Sequence, residues 1–117
     1  MTHTTRFESA AQTLLPAWRG HGCIDAIPAD CRPRNRAEGY AVQAALLRAC
    51  GEPGFGWKIA ATSAAGQQHI GVSGPLAGRL LASRRLASGD VVSLEGNSMR
   101  VAEAEFAFRM ARDLPAD

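Results

Sequence analysis

A break in hydrophobic period at Gly51-Glu52-Pro53-Gly54 limits what this chain can fold into more than any other feature. Upstream of it, apolar residues recur at helical intervals; downstream, short alternating runs are punctuated by glycine. Glycine closes a helix by taking the left-handed conformation, and proline lacks the N–H needed to continue one. The expected fold class is therefore α+β, with N-terminal helices over residues 1–53 and a β-rich region over residues 54–117. A length of 117 residues suits one domain with a modest core.

In the helical half, Thr5 and Glu8 have capping-box spacing, and Phe7, Ala10, Ala11, Leu14, Leu15 and Trp18 follow at helical intervals. Pro16 predicts a kink or an early end to that helix. Gly20 to Pro33 lacks sustained periodicity and reads as a loop. Asn35 with Glu38 signals a second start, after which Ala37, Tyr40, Ala41, Ala44 and Leu47 are expected to line one face until Gly51.

Beyond the break, Gly56 to Thr62 reads as a strand with Trp57, Ile59 and Ala61 on one side and Lys58, Ala60 and Thr62 on the other. Lys58 is the charged residue of that run. It fits either a functional cation or an edge-strand lysine that discourages aggregation. Thr62 or Ser63 is placed to cap a short helix ending near Gly71, Gly74-Pro75 marks a turn, and Gly78 to Ala82 reads as another strand. Gly89-Asp90 precedes Val91 to Leu94, and Glu95-Gly96-Asn97-Ser98 leads into a long strand expected from Met99 to Arg112, forming a hairpin.

That last stretch carries the main chemical signal. With a period of two, Glu103, Glu105, Ala107 and Arg109 share one face, and Ala102, Ala104, Phe106, Phe108 and Met110 share the other. Carboxylates two apart on a strand have α-carbons about 6.6 Å apart. Their repulsion is about 2.5 kcal/mol at an effective dielectric near 20 and about 0.6 kcal/mol in water. The pair thus requires a shared cation or open solvent, and a solvated strand face is the plainer of the two readings.

A net charge of +2 from 13 basic and 11 acidic residues leaves no concentrated basic stripe for nucleic acid. No apolar run is long enough to span a bilayer, and no signal-peptide pattern opens the chain, so a cytoplasmic location is expected. Cys23, Cys31 and Cys50 are odd in number and lack C-x-x-C spacing, which fits free thiols. His3, His21 and His69 stand apart from any zinc-like ligand set.

Gly56-Trp57-Lys58-Ile59-Ala60-Ala61-Thr62-Ser63, followed by Gln67-Gln68 and Ile70-Gly71-Val72, resembles the 2-keto-4-pentenoate hydratases of the fumarylacetoacetate hydrolase superfamily. Arg100 to Pro115 strengthens the resemblance, which runs from about Arg36 to Leu114. It implies the first strands of a mixed β-sandwich or roll. It also implies a divalent cation, Mg²⁺ or Mn²⁺, bound by Glu103 and Glu105, with Lys58 approaching the substrate. Hard oxygen donors suit such cations better than zinc. The implied substrate is a small 2-oxo or 2-hydroxydienoate acid, to which water is added to give a 4-hydroxy-2-oxo acid in aromatic catabolism. Homo-oligomers are implied for complete members.

Two departures shape the expectation. Members of the family complete the metal site with a further carboxylate beyond the E-x-E pair, and this chain ends at Asp117 before that position; neither Asp113 nor Asp117 matches it. The chain is accordingly expected to be an N-terminal portion, with an unfinished roll and doubtful activity alone. Some hydratases also have an aspartate where this chain has Leu76. A 4-oxalocrotonate-type decarboxylase, a carbon–carbon bond hydrolase and a non-catalytic chain packing against a partner therefore stand as alternatives.

Overall fold

The computed structural model describes residues 3–115, with side chains from Thr5 onward. The side chain of His3 and the whole of Asp117 lie outside the described residues. The chain is α+β: helix α1 spans His3–Arg19, helix α2 Arg36–Cys50, strand β1 Gly54–Ala60, helix α3 Ala64–Ile70 and strand β2 Leu76–Leu81. A short 3₁₀ turn, Ala82–Arg84, follows.

Helices α1 and α2 pack on one another through small side chains. Ala10, Ala11 and Leu15 of α1 and Val42 and Ala45 of α2 are buried, and Cys31 of the connecting loop closes the cluster with Phe7, Leu14 and Ile27 around it. Alanine at the contact permits close approach but removes little apolar surface from water, so this core is thin. At the far end, the Arg19 guanidinium donates to the Ala49 and Cys50 carbonyls at 3.5 and 3.2 Å. A cation there satisfies orphan carbonyls and opposes the negative end of the helix dipole.

Three helical expectations are corrected. Thr5 lies inside α1 rather than capping it, because the helix already begins at His3. Pro16 does not bring the early end, since α1 continues to Arg19; Gln12, the residue whose carbonyl loses its donor, is exposed. In α2 the buried positions are Val42 and Ala45, while Ala37 and Ala44 are exposed. Tyr40 and Leu47 of the expected face turn instead toward the strands. The signals at both ends of α2 hold: Asn35 Oδ1 accepts from Glu38 N–H at 3.0 Å, and Gly51 closes the helix at φ 72°.

Strands β1 and β2 form a two-stranded antiparallel sheet, with Trp57 opposite Arg79, Lys58 opposite Gly78 and Ile59 opposite Ala77. A bulge lies between Gly54 and Gly56. Side chains of α2 cover part of the outer edge of β2: Tyr40 Oη accepts from Ala77 N–H at 3.0 Å, and Gln43 Nε2 donates to the Ala77 carbonyl at 3.2 Å. Arg36 donates to the Gly74 carbonyl at 3.3 Å, Ala82 N–H to the Pro53 carbonyl at 3.1 Å and Ser83 N–H to Glu52 Oε2 at 3.2 Å. Polar side chains of α2 thus tie it to β2 and to the turn before that strand. Phe55, Trp57 and Ile59 remain about half exposed.

The strand expected over Gly56–Thr62 begins two residues earlier and ends at Ala60, because Ala61 takes a left-handed backbone at φ 55° that turns the chain away. The expected hairpin of Val91–Leu94 with Met99–Arg112 does not form: among the described residues neither segment is a strand. Alternation makes a segment suited to a ladder, but a strand exists only where a neighbour supplies hydrogen bonds, and neither segment has one. The turns within this region do form, at Ser88-Gly89 and Glu95-Gly96.

Candidate functional site

Lys58 sits in the middle of β1, on the side of the strand shared with Gly56. Its cross-strand neighbour Gly78 has no side chain, so the space above the lysine stem is not filled from β2. The chain after β1 is held by local bonds. The Gln67 amide donates to the carbonyl of left-handed Ala61 at 3.0 Å, and Ser63 Oγ caps α3 by accepting from Gly66 N–H at 3.1 Å. Gln67 was legible in the sequence only as part of the resemblance; the unusual backbone at Ala61 that it supports leaves no signal in residue type.

Glu103 and Glu105 reach Lys58 from the other end of the chain. Two left-handed residues bend the approach, Gly96 at φ 72° and Arg100 at φ 50°. At Gly96 a Cβ would also collide with the His21 side chain, so glycine is required there by both backbone and space. Asn97 fixes the second bend, its N–H donating to the Leu94 carbonyl and its Oδ1 accepting from Arg100 N–H, each at 3.0 Å.

The Lys58 ammonium donates to Glu103 Oε2 at 2.8 Å and also to Glu105 Oε1. Both carboxylates therefore converge on one cation, as side chains two apart in an extended segment do even without a ladder. The Lys58 hydrogen bond, and after it the Lys58 charge, hold the Glu103 carboxyl below the usual carboxylate range against slight desolvation. Side-chain exposure of 36% for Lys58, 63% for Glu103 and 52% for Glu105 makes this an open surface site. Two cavities of about 430 and 400 Å³ border α2, and neither is lined by these three residues.

The chemistry of the donors fits a hard divalent cation in part. Two carboxylates already close around a positive charge, and Mg²⁺ is held by one or two carboxylates together with water and substrate oxygens. Among the described residues, no group of three or more His, Cys, Asp or Glu side chains converges to hold a metal ion. Cys23, Cys31 and Cys50 are free thiols, exposed, buried and partly buried in turn. Among the described residues no helix is long and apolar enough to cross a membrane.

No family model matches the chain, and no solved structure matches it. Across its whole length the chain is similar to the 2-keto-4-pentenoate hydratase of Paraburkholderia phymatum, with 32% identity over 120 aligned positions that cover 46% of that protein. The chain thus spans about half the length of the curated relative it matches.

Proposed function

We propose that the chain contributes Lys58, Glu103 and Glu105 to a hydratase-like site that adds water to a 2-hydroxydienoate and yields a 4-hydroxy-2-oxo acid. The observation that carries this reading is the convergence of the two carboxylates on Lys58 across 45 and 47 residues of sequence. The similarity of the whole chain to about half of a 2-keto-4-pentenoate hydratase supports it. In this reading the strands begin a larger mixed sandwich or roll, and residues 54–117 are its catalytic part.

Glu103 and Glu105 would hold Mg²⁺ or Mn²⁺, which when bound supplies Lewis-acid polarisation of a 2-oxo acid's keto oxygen. The carboxylates fix the position of that charge relative to β1. Lys58 Nζ, one residue type that can both donate a hydrogen bond and carry a proton, faces the same position and stabilises negative charge on the substrate's oxygens. The reaction balances as dienoate plus water: the dienol tautomerises to a conjugated 2-oxo acid, and water then adds hydroxyl at C4 and a proton at C3.

The test is a chimera in which this chain replaces the segment of the Paraburkholderia phymatum relative with which it aligns. Loss of ultraviolet absorbance of 2-hydroxypenta-2,4-dienoate is expected only with Mg²⁺ or Mn²⁺ present. Glu103→Gln or Glu105→Gln should lower kcat/KM by about two orders of magnitude or more, since charge and orientation are lost together. An unchanged rate in either variant would remove that glutamate from the site.

A further inference from the structure

Lys58 is the one lysine among the 13 basic residues of this chain; the others are arginine. Arginine holds the surface contacts elsewhere: Arg19 on the end of α2, Arg36 on Gly74, and Arg79, Arg84 and Arg85 over aromatic rings. A guanidinium also pairs with carboxylates better, because its planar fork binds both oxygens. Where two carboxylates converge, the sequence nevertheless places an ammonium, a compact point charge with no fork. An ammonium resembles a small metal cation in shape and is the easier of the two groups to displace.

A second observation concerns attachment. Among the described residues, the hydrogen bonds and ion pairs that join residues 101–115 to the rest of the protein are those of Lys58 with Glu103 and Glu105. The same two side chains therefore serve as cation ligands, in the reading proposed above, and as the fastening of their own segment to β1.

We propose that Lys58 and a divalent cation exchange on Glu103 and Glu105, so that Lys58 is a built-in occupant that the cation must displace. The consequence is a reversal of charge. With Lys58 engaged, the three side chains carry one net negative charge and repel an acid. Once a divalent cation takes the carboxylates, they are neutralised and the freed ammonium leaves one net positive charge, which attracts an acid. Cation binding thereby precedes and enables binding of an anionic substrate. This inference rests on the cation-binding reading of the two glutamates.

Because Lys58 is the one lysine, an amine-acylating reagent reports on it directly in the unmodified chain, the Lys58 peptide being separated from the N-terminal peptide by digestion and mass spectrometry. Saturating Mg²⁺ should accelerate acylation of Lys58 by several-fold and leave the N-terminal amine unaffected. Mn²⁺ binding followed by electron paramagnetic resonance should rank the variants: Lys58→Met tighter than wild type by about three- to tenfold, as expected for removal of two exposed charge contacts, and Lys58→Arg weaker than wild type because the fork is harder to displace. Arg109→Met, which removes an equal charge from the same segment, should leave the affinity within about twofold. If the three residues at position 58 give one affinity while Glu103→Gln/Glu105→Gln abolishes binding, exchange is refuted and the cation site stands. If the double glutamine variant binds Mn²⁺ as well as wild type, the cation reading falls and exchange with it.

Discussion

At the scale of single residues, the electrostatics of Glu103 set a direction for pH. Its carboxyl is held below the ordinary carboxylate range by the Lys58 hydrogen bond first and the Lys58 charge second. A depressed acid favours the paired state, fully above the ordinary carboxylate value, and the preference disappears as pH falls through the lowered one. Residues 101–110 should therefore stay fastened at neutral pH and gain fast backbone motion once the solution is acidified below the usual carboxylate range. Heteronuclear nuclear Overhauser effects on their amides, followed from pH 7 to 3, measure this; unchanged values would mean that the fastening does not depend on the carboxylates. Ala61 offers a second residue-scale prediction. A left-handed backbone costs a residue with a Cβ about 1–2 kcal/mol, and glycine gives back part of that gain through unfolded-state entropy. Ala61→Gly should thus stabilise by about 0.5–1 kcal/mol, and raise Tm by a few degrees in calorimetry. The convergence of Glu103 and Glu105 was legible from their spacing, because a period of two needs only an extended backbone. That Lys58 is their partner was not, since 45 residues separate them and spacing says nothing of distant contacts.

At the scale of elements, helices were more legible than strands, for a physical reason. The ends of α2 and α3 are closed by groups within a few residues: Asn35 and Ser63 accept from N–H groups three positions on, and Gly51 and Gly71 turn left-handed. Such signals are local and survive in the sequence. The face that α2 buries is not local, since it depends on where α1 and the sheet lie, and Tyr40 and Leu47 are apolar enough to suit either neighbour. The segment Met99–Arg112 shows the same limit more sharply: its alternation is real, but pairing requires a second strand. In α1, Pro16 is tolerated without being favourable. Pro16→Ala should restore the hydrogen bond to Gln12 and remove the ring clash, stabilising the protein by about 1–3 kcal/mol. Thermal unfolding followed by circular dichroism checks this. An unaltered or lowered Tm would show that the helix has already adapted its backbone around the ring.

At the scale of the whole molecule, the distribution of apolar surface governs behaviour. The buried core is confined largely to the α1–α2 seam, while Phe106 and Phe108 are 98% and 86% exposed and Val91, Met99 and Leu114 stand similarly open. Phe55, Trp57 and Ile59 add a second apolar area on β1. Two phenylalanines alone present about 300–400 Å², near half of what one partner contributes to a stable protein interface, and the half-exposed side chains of β1 add to that area. The sheet compounds this. β2 has part of its outer edge covered at Ala77 by Tyr40 and Gln43, whereas the outer edge of β1 is unpaired among the described residues. Exposed apolar side chains provide affinity and an open strand edge provides a template, so the 117-residue chain should self-associate. Sedimentation velocity at increasing protein concentration should show growth in mass. Phe106→Ser/Phe108→Ser should shift that growth to higher concentration by about tenfold or more while leaving the helical circular dichroism signal unchanged, because neither ring contributes to the α1–α2 core. If the chain sediments as a monomer at every concentration and fails to bind an apolar dye, these rings are covered in solution, and the segment from 101 to 115 must then pack against the protein through more than Lys58.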